Sequence, residues 1–164
     1  MTASAFENVH IDIRSDKPFA QAVKDLQAEL GKASTEVLMD KLSAAKTFAE
    51  YVEEIEPLAG RSNLIQVGFL NWGKVMSRVP IEMKAQHFII GNPLTARKLL
   101  EAGGPEVGLY LPTRIYLYAD ADDITHVAYD QLGPALARYD NPGVNTIAQL
   151  IDGVLAKLAN AAAN

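Results

Sequence analysis

The chain has 164 residues, a length that suits one domain, and 49% of them are hydrophobic, enough to form a core. With 21% charged residues and no cysteine, the composition is that of a globular protein without disulfides, thiolate metal sites or a cysteine nucleophile. The formal net charge of -5 argues against nucleic acid as the main partner, because a phosphate-binding surface needs a basic field.

The N-terminal residues show no signal-peptide pattern, since "MTASAFENVH" lacks a basic segment followed by an apolar run. No stretch approaches the roughly 18 consecutive apolar residues of a membrane-spanning helix. We therefore expect a cytoplasmic protein without a membrane partner.

Strict alternation of apolar and polar residues over 9–14 predicts a half-buried first strand. A helix follows, with Ser15 or Asp16 as its cap and Pro18 in its first turn, and Gly31 ends it. Residues 34–58 form a second helical region, whose acidic cluster we interpret as a solvated face rather than a metal site. The next predicted elements are a strand over 63–71, a short helical segment over 72–79, a strand over 84–91 and a helix over 93–102. A hairpin of strands over 112–119 and 123–130 follows. The chain then has a turn-rich link, a last helix over 145–159 and a frayed tail.

This order of elements predicts an α+β fold in which a mainly antiparallel sheet carries its long helices on one face. We find no repeat or linker, so residues 1–164 are expected to form a single domain, with a helical insertion over about 34–60.

The segments "IIGNP", "LPTRIYLY" and "VAY" are similar to those of the domain of unknown function 302 family. The residues that carry this resemblance are Gly91, Asn92, Pro93, Leu111, Pro112, Arg114 and Tyr129. The resemblance implies a β-α-β4-α fold of the TBP-like kind and a homodimer, but it implies no chemistry. The family usually has Asp-His before the short helical segment, where this chain has Asn71 and Trp72.

The Gly-Asn-Pro turn before the helix over 93–102 has two interpretations. Asn92 is suited to be the N-cap and Pro93 the first helical residue, which predicts a plain capping turn. The weaker alternative is an anion site at the helix N-terminus, with Arg97 and Lys98 one turn away. Neither the P-loop nor the dinucleotide-binding glycine pattern is present.

Alternation within the later strands indicates which side chains face away from the helices. Ile115 and Leu117 suit the core, so Tyr116 is expected on the other face, which we call the second face. A five-residue hairpin loop would place Tyr116 directly across from His126. The residues predicted to share the second face are Gln66, His87, Arg114, Tyr116, Tyr118 and His126.

The leading hypothesis from these residues is non-enzymatic binding of a small ligand on the second face or at a dimer junction, with haem or another flat aromatic molecule as candidate. His87 or His126 would be the axial ligand, and Arg114 would pair with a propionate. Tyr116, Tyr118, Trp72 and Met76 would supply the wall.

Two alternatives remain open at this stage. One is an enzyme in which His87 or His126 acts as a general base beside Tyr116. The other is a structural or interaction module in which the same residues form an interface without a ligand. No Gly-x-Ser-x-Gly, His-Glu-x-x-His or EF-hand pattern is present, and the acidic hairpin tip is predicted to be solvated.

Overall fold

The computed structural model describes residues 5–164, which form one six-stranded sheet and seven α-helices with short 3-10 turns. The strands are β1 (His10–Ser15), β2 (Gly31–Lys32), β3 (Ile65–Asn71), β4 (Ala85–Gly91), β5 (Thr113–Ala119) and β6 (Thr125–Asp130). The helices are α1 (Phe19–Glu29), α2 (Thr35–Ala44), α3 (Phe48–Ile55), α4 (Trp72–Val75), α5 (Pro93–Gly103), α6 (Leu132–Leu136) and α7 (Pro142–Ala163).

The strands lie in the order β1-β6-β5-β4-β3-β2, and every neighbouring pair is antiparallel except β2 with β3. The predicted α+β class is therefore confirmed. The two-residue β2 and the short α6 were not predicted, because each is too brief to show a period in the sequence. The helical region over 34–60 is two helices, since Ala45 is already extended and Thr47 caps the second helix.

The main core lies between one face of the sheet and the long helices α1, α5 and α7. Leu26 of α1, Leu99 of α5 and Leu155 of α7 are fully buried. They share one cluster with the inward side chains of the central strands, which include Phe88, Ile90, Ile115, Leu117 and Val127. This burial on one side of the sheet leaves the second face free of the main core.

A smaller core lies at the β2–β3 edge of the sheet. Leu38 of α2 and Ile55 of α3 pack there with Ile65 of β3 and Ala33. The segment that we predicted as an insertion therefore covers a sheet edge, a common way to protect unpaired strands.

The predicted frayed tail is wrong, because α7 continues to Ala163 and two residues of its last turn are buried. Ala162 is 0% exposed and Ala163 is 2% exposed. The hydroxyl of Ser15, at the end of β1, donates to the carbonyl oxygen of Ala163 at 2.5 Å. An alanine-rich sequence is a poor guide to where a helix ends, because alanine side chains are small enough to allow close packing on a sheet.

The expected outward position of Gln66 is also wrong. A β-bulge between Gln66 and Gly68 pairs Gln66 with Ile90, whose side chain lies in the main core. A bulge adds one residue to a strand and so reverses the faces on either side of it.

No helix in the described part of the chain, residues 5–164, is long and apolar enough to cross a membrane.

Candidate functional site

The second face is built by the central strands β4, β5 and β6. Tyr116 lies opposite His87 of β4, and Tyr118 lies opposite His126 of β6. Arg114, two residues before Tyr116, lies opposite Ile89. Directly opposed side chains in antiparallel strands point to the same face, so these five predicted residues do share one surface.

The predicted pairing of Tyr116 with His126 is wrong, since Tyr116 pairs with Ala128. The observed hairpin turn is held by Asp120. The Asp120 Oδ1 accepts from the backbone N–H groups of Asp122 and Ile124, both at 2.9 Å. This turn lets β5 extend to Ala119, so the register moves by two residues. A two-residue shift keeps every side chain on the same face, which is why the predicted surface survives.

The aromatic side chains on this face form a continuous row. The His126 and Tyr118 rings stack at 4.7 Å between centroids with 11° between planes. Tyr118 stacks on Tyr116 at 5.6 Å, and Tyr116 meets the His87 ring edge-on at 5.6 Å. The row thus has a histidine at each end.

His126 is held by two carboxylates. Its Nδ1 lies 2.7 Å from Asp12 Oδ1, and its Nε2 lies 3.2 Å from Asp120 Oδ2. The pKa of His126 is raised, mainly by the hydrogen bond with Asp12. The hydrogen bond with Asp120 and the negative charges of both carboxylates add to this effect, while burial opposes it. Both ring nitrogens are occupied, so His126 could ligate a metal only by giving up one of these bonds.

Asp12 joins β1 to this network by accepting from the Tyr118 hydroxyl as well, at 2.5 Å. Burial tends to raise the pKa of Asp12, but the hydrogen bonds from Tyr118 and His126 outweigh it and lower the pKa. The same bond to the carboxylate raises the pKa of Tyr118 to about 12. Tyr118 is therefore a stable neutral donor, unsuited to exchange protons near neutral pH.

His87 has the opposite environment. Its side chain is half-buried, and burial, followed by the nearby positive charge of Arg114, lowers the pKa of the imidazole. Within residues 5–164 no hydrogen bond or ion pair occupies a His87 ring nitrogen, and none binds the Arg114 guanidinium. The face therefore presents an uncharged imidazole beside an unpaired cation.

His87, Arg114 and Tyr116 lie in a groove of about 640 Å³ that begins on the second face and passes the ends of β5 and β6. The other residues that line it are Phe6, Asn8, His10, Leu109, Tyr110, Pro112, Thr113, Ala128, Tyr129, Asp130, Gln131, Leu132 and Ala135. Sequence reasoning missed most of these, because they come from the N-terminal segment, the turn before β5 and α6. His10 pairs with Asp130 at 2.8 Å at the rim, where it is 59% exposed.

The remaining predicted ligand residues lie outside this groove. Trp72 and Met76 follow the end of β3, where Asn71 caps α4 by accepting from the Lys74 N–H at 3.0 Å. Tyr118 and His126 belong to the same face but lie along the aromatic row, beyond the groove lining.

The Gly-Asn-Pro turn is the predicted cap. Asn92 is 6% exposed, and its Oδ1 accepts from the Leu94 N–H at 2.9 Å. Its Nδ2 donates to the carbonyl of Asn63 at 2.9 Å. Arg97 lies over the Phe48 ring at 4.0 Å and pairs with Glu101, while Lys98 is exposed. The Leu94 N–H and the Asn92 amide group are thus engaged in the cap, and the anion site stays a prediction.

Among residues 5–164, no group of three or more histidine or acidic side chains is placed to hold a metal ion. A haem iron differs from such a site, because the porphyrin supplies four ligands and one protein side chain is enough.

Comparison with known proteins places the chain in context. The family model described as "Domain of unknown function DUF302" matches residues 39–164, most of the chain. A solved structure, "Crystal structure of uncharacterized conserved protein DUF302 from Bacillus stearothermophilus", has a TM-score of 0.63 and 14% sequence identity, covering 93% of this chain and 96% of that chain. At that identity the similarity establishes the fold alone. No curated protein sequence matches the chain.

Proposed function

The chain belongs to the DUF302 family, and from that premise we propose that it is a non-enzymatic ligand-binding protein whose groove accepts a flat aromatic anion, with haem as the first candidate. The groove of about 640 Å³ is within the usual range for small-molecule sites, about 300–1,000 Å³. Such sites place a few polar groups in an otherwise apolar and aromatic lining.

One observation carries this proposal: an uncharged, half-buried His87 lies in the groove together with an unpaired Arg114. A neutral imidazole is a ready donor to iron, and a guanidinium binds a carboxylate through two parallel hydrogen bonds. Tyr116 and Tyr110 add aromatic surface to the lining. This donor set fits a haem, in which His87 would be the axial ligand and Arg114 would hold a propionate.

His126 suits the axial role less well than His87. Its ring nitrogens are engaged by Asp12 and Asp120, and its raised pKa favours the protonated form, which cannot ligate. We therefore propose that His126 and Tyr118 support the sheet beside the groove.

Titration of the purified protein with haemin tests this proposal. We expect a Soret band at about 400 nm, the absorbance of haem iron with a protein ligand, at one haemin per chain. His87→Ala should abolish the band, while His126→Ala should keep it; the reverse result would move the axial role to His126. An absent band in the wild-type protein, with no small molecule retained in native mass spectrometry, would refute the proposal.

A general-base function for His87 beside Tyr116 is the second candidate, favoured by the lowered pKa of His87. A metabolite retained in native mass spectrometry and chemically altered on incubation would favour it over simple binding. The third candidate is an interaction module without a ligand, which a colourless protein that retains no molecule would support.

We further propose that the protein is a cytoplasmic homodimer. Several large apolar side chains are exposed between residues 70 and 83, which supports an association surface there.

A further inference from the structure

The wall of the groove nearest the N-terminus is a short segment, residues 5–9, which we call the strap. It precedes β1, and its Phe6 and Asn8 line the groove. The carbonyl of Val9 accepts from the Gln131 N–H at 2.9 Å, where the strap joins the sheet. No other backbone hydrogen bond of residues 5–9 is present within the described chain, so the strap is attached mainly through side chains.

The side-chain attachment is a cluster of aromatic rings around Arg138. The Phe6 ring meets Tyr110 edge-on at 6.1 Å, and the Arg138 guanidinium carbon lies 5.2 Å from the centre of each of these rings. Arg138 also lies 4.9 Å from the Tyr139 ring and donates to its hydroxyl at 3.0 Å. Tyr139 in turn donates to the Glu106 carbonyl at 3.2 Å, which ties the cluster to the turn before β5.

The cluster lies at the protein surface, where cation–π contacts are weak. Phe6 is 45% exposed and Arg138 is exposed. Detaching Phe6 breaks its contacts with Tyr110 and Arg138 without breaking the pairing of β1, which begins at His10. The strap can therefore open at low cost while the sheet, with His87 and Arg114, stays intact.

We propose that the strap gates the ligand groove and that Arg138 is the positioning residue that holds it closed over the bound ligand. This inference rests on the proposed function, since it assumes that the groove takes a flat aromatic anion. A gate that must open for both entry and exit controls the two rates equally and leaves the equilibrium affinity unchanged. Weakening the gate should therefore raise the uptake and release rates together. Loss of a binding contact would instead raise the release rate and weaken the affinity.

Stopped-flow uptake of haemin, and its transfer from the loaded protein to an excess of haem-free globin, measure the two rates. In Arg138→Gln we expect both to rise by about twofold to fivefold, the factor equivalent to one lost cation–π contact, with an unchanged dissociation constant. Phe6→Ala should also raise the uptake rate, because it removes the other partner, but since Phe6 lines the groove only Arg138→Gln tests for an unchanged dissociation constant. Arg61→Gln is the matched control: Arg61 pairs with Glu29 outside the groove lining, and its rates should equal those of the wild type.

The outcomes separate the two proposals. Haemin binding with unchanged rates in Arg138→Gln and Phe6→Ala would overturn the gate and leave the proposed function standing. A faster release with unchanged uptake in Arg138→Gln would also overturn it, because that pattern marks a lost ligand contact and Arg138 lies outside the groove lining. A wild-type protein that takes up no haemin would refute the proposed function, and the gate with it.

Discussion

At the scale of single residues, the pKa values of the two histidines at the ends of the aromatic row are shifted in opposite directions. The pKa of His87 is lowered by burial and by Arg114, whereas the pKa of His126 is raised by its bonds to Asp12 and Asp120. Environments that move the pKa values of two like groups apart usually assign them different tasks. Here His87, whose neutral form is favoured by burial, is available to a ligand, and His126, held by two carboxylates, joins β1 to the β5–β6 hairpin.

The role of His126 predicts how stability varies with pH. Because its pKa is raised on folding, its stabilising effect is complete below its unfolded value of about 6.5 and disappears as pH rises through the folded pKa. Asp12 has a lowered pKa, so its effect is present above its ordinary value of 3.8 and disappears as pH falls through the folded pKa. The network should therefore stabilise the fold most between about pH 4.5 and 6.

We expect His126→Gln to lower the free energy of unfolding by about 1 kcal/mol at about pH 5.5 and by much less at about pH 8.5. Urea denaturation of both proteins at the two pH values measures this. His10→Gln, which removes an exposed pair with Asp130, should change stability by less than about 0.5 kcal/mol and serves as control. An equal loss for His126→Gln at both pH values would contradict a raised pKa of His126.

Alternation in the sequence was enough to place His87, Arg114 and Tyr116 on one face, because the side-chain period of a strand is two residues. It could not give the partner of His126, since a shift of two residues leaves the same faces exposed. The groove could not be predicted at all: its walls combine Phe6, Tyr110 and Leu132, which are brought together only by tertiary packing.

At the scale of elements, the turn before α5 is a structural cap, and this interpretation makes a testable claim. Asn92→Ala removes the acceptor for the Leu94 N–H and the donor to Asn63, both in a buried setting. We expect a loss of about 2 kcal/mol in the free energy of unfolding, measured by urea denaturation. Addition of phosphate should not raise the melting temperature of the wild-type protein. A clear rise that Arg97→Gln abolishes would restore the anion site.

The last turn of α7 was predicted as a frayed tail, and this prediction failed for a physical reason. A run of alanines has little hydrophobic periodicity, so its contact with β1 and the core has no sequence signal. Strong alternation made β1, β4 and β5 predictable, whereas β2 and the bulge in β3 depend on neighbouring strands. The helix end is set by the buried position of Ala162 and by the Ser15 bond to Ala163.

Two neighbouring alanines test this packing directly. Ala162→Asp places a carboxylate at a position that is 0% exposed, and we expect a loss of more than about 3 kcal/mol in the free energy of unfolding. Ala161→Asp adds the same charge at an exposed position and should cost less than about 0.5 kcal/mol. Thermal denaturation of the pair compares them under one condition. Similar melting temperatures for both variants would mean that the last turn does not pack on the core.

At the scale of the whole molecule, five large exposed apolar side chains lie between residues 70 and 83, at the end of β3 and in the segment that follows it. The exposed fractions are 42% for Leu70, 56% for Val75, 45% for Val79, 51% for Ile81 and 40% for Met83. Large exposed apolar surfaces on soluble proteins usually mark association sites. Leu70 also lies opposite His87 on the second face, so an interface here would border the proposed ligand site.

We therefore expect the wild-type protein to be a dimer in light scattering, and Ile81→Glu to shift it toward the monomer, because a buried unpaired carboxylate opposes association. Leu150→Glu is the matched control, since Leu150 is 65% exposed on α7, away from this stretch of chain. It should leave the dimer intact. A monomeric wild-type protein at micromolar concentrations, or equal dissociation in both variants, would contradict an interface between residues 70 and 83. If Ile81→Glu is monomeric and still takes up haemin, the groove of one chain is sufficient for binding, and the interface only borders it.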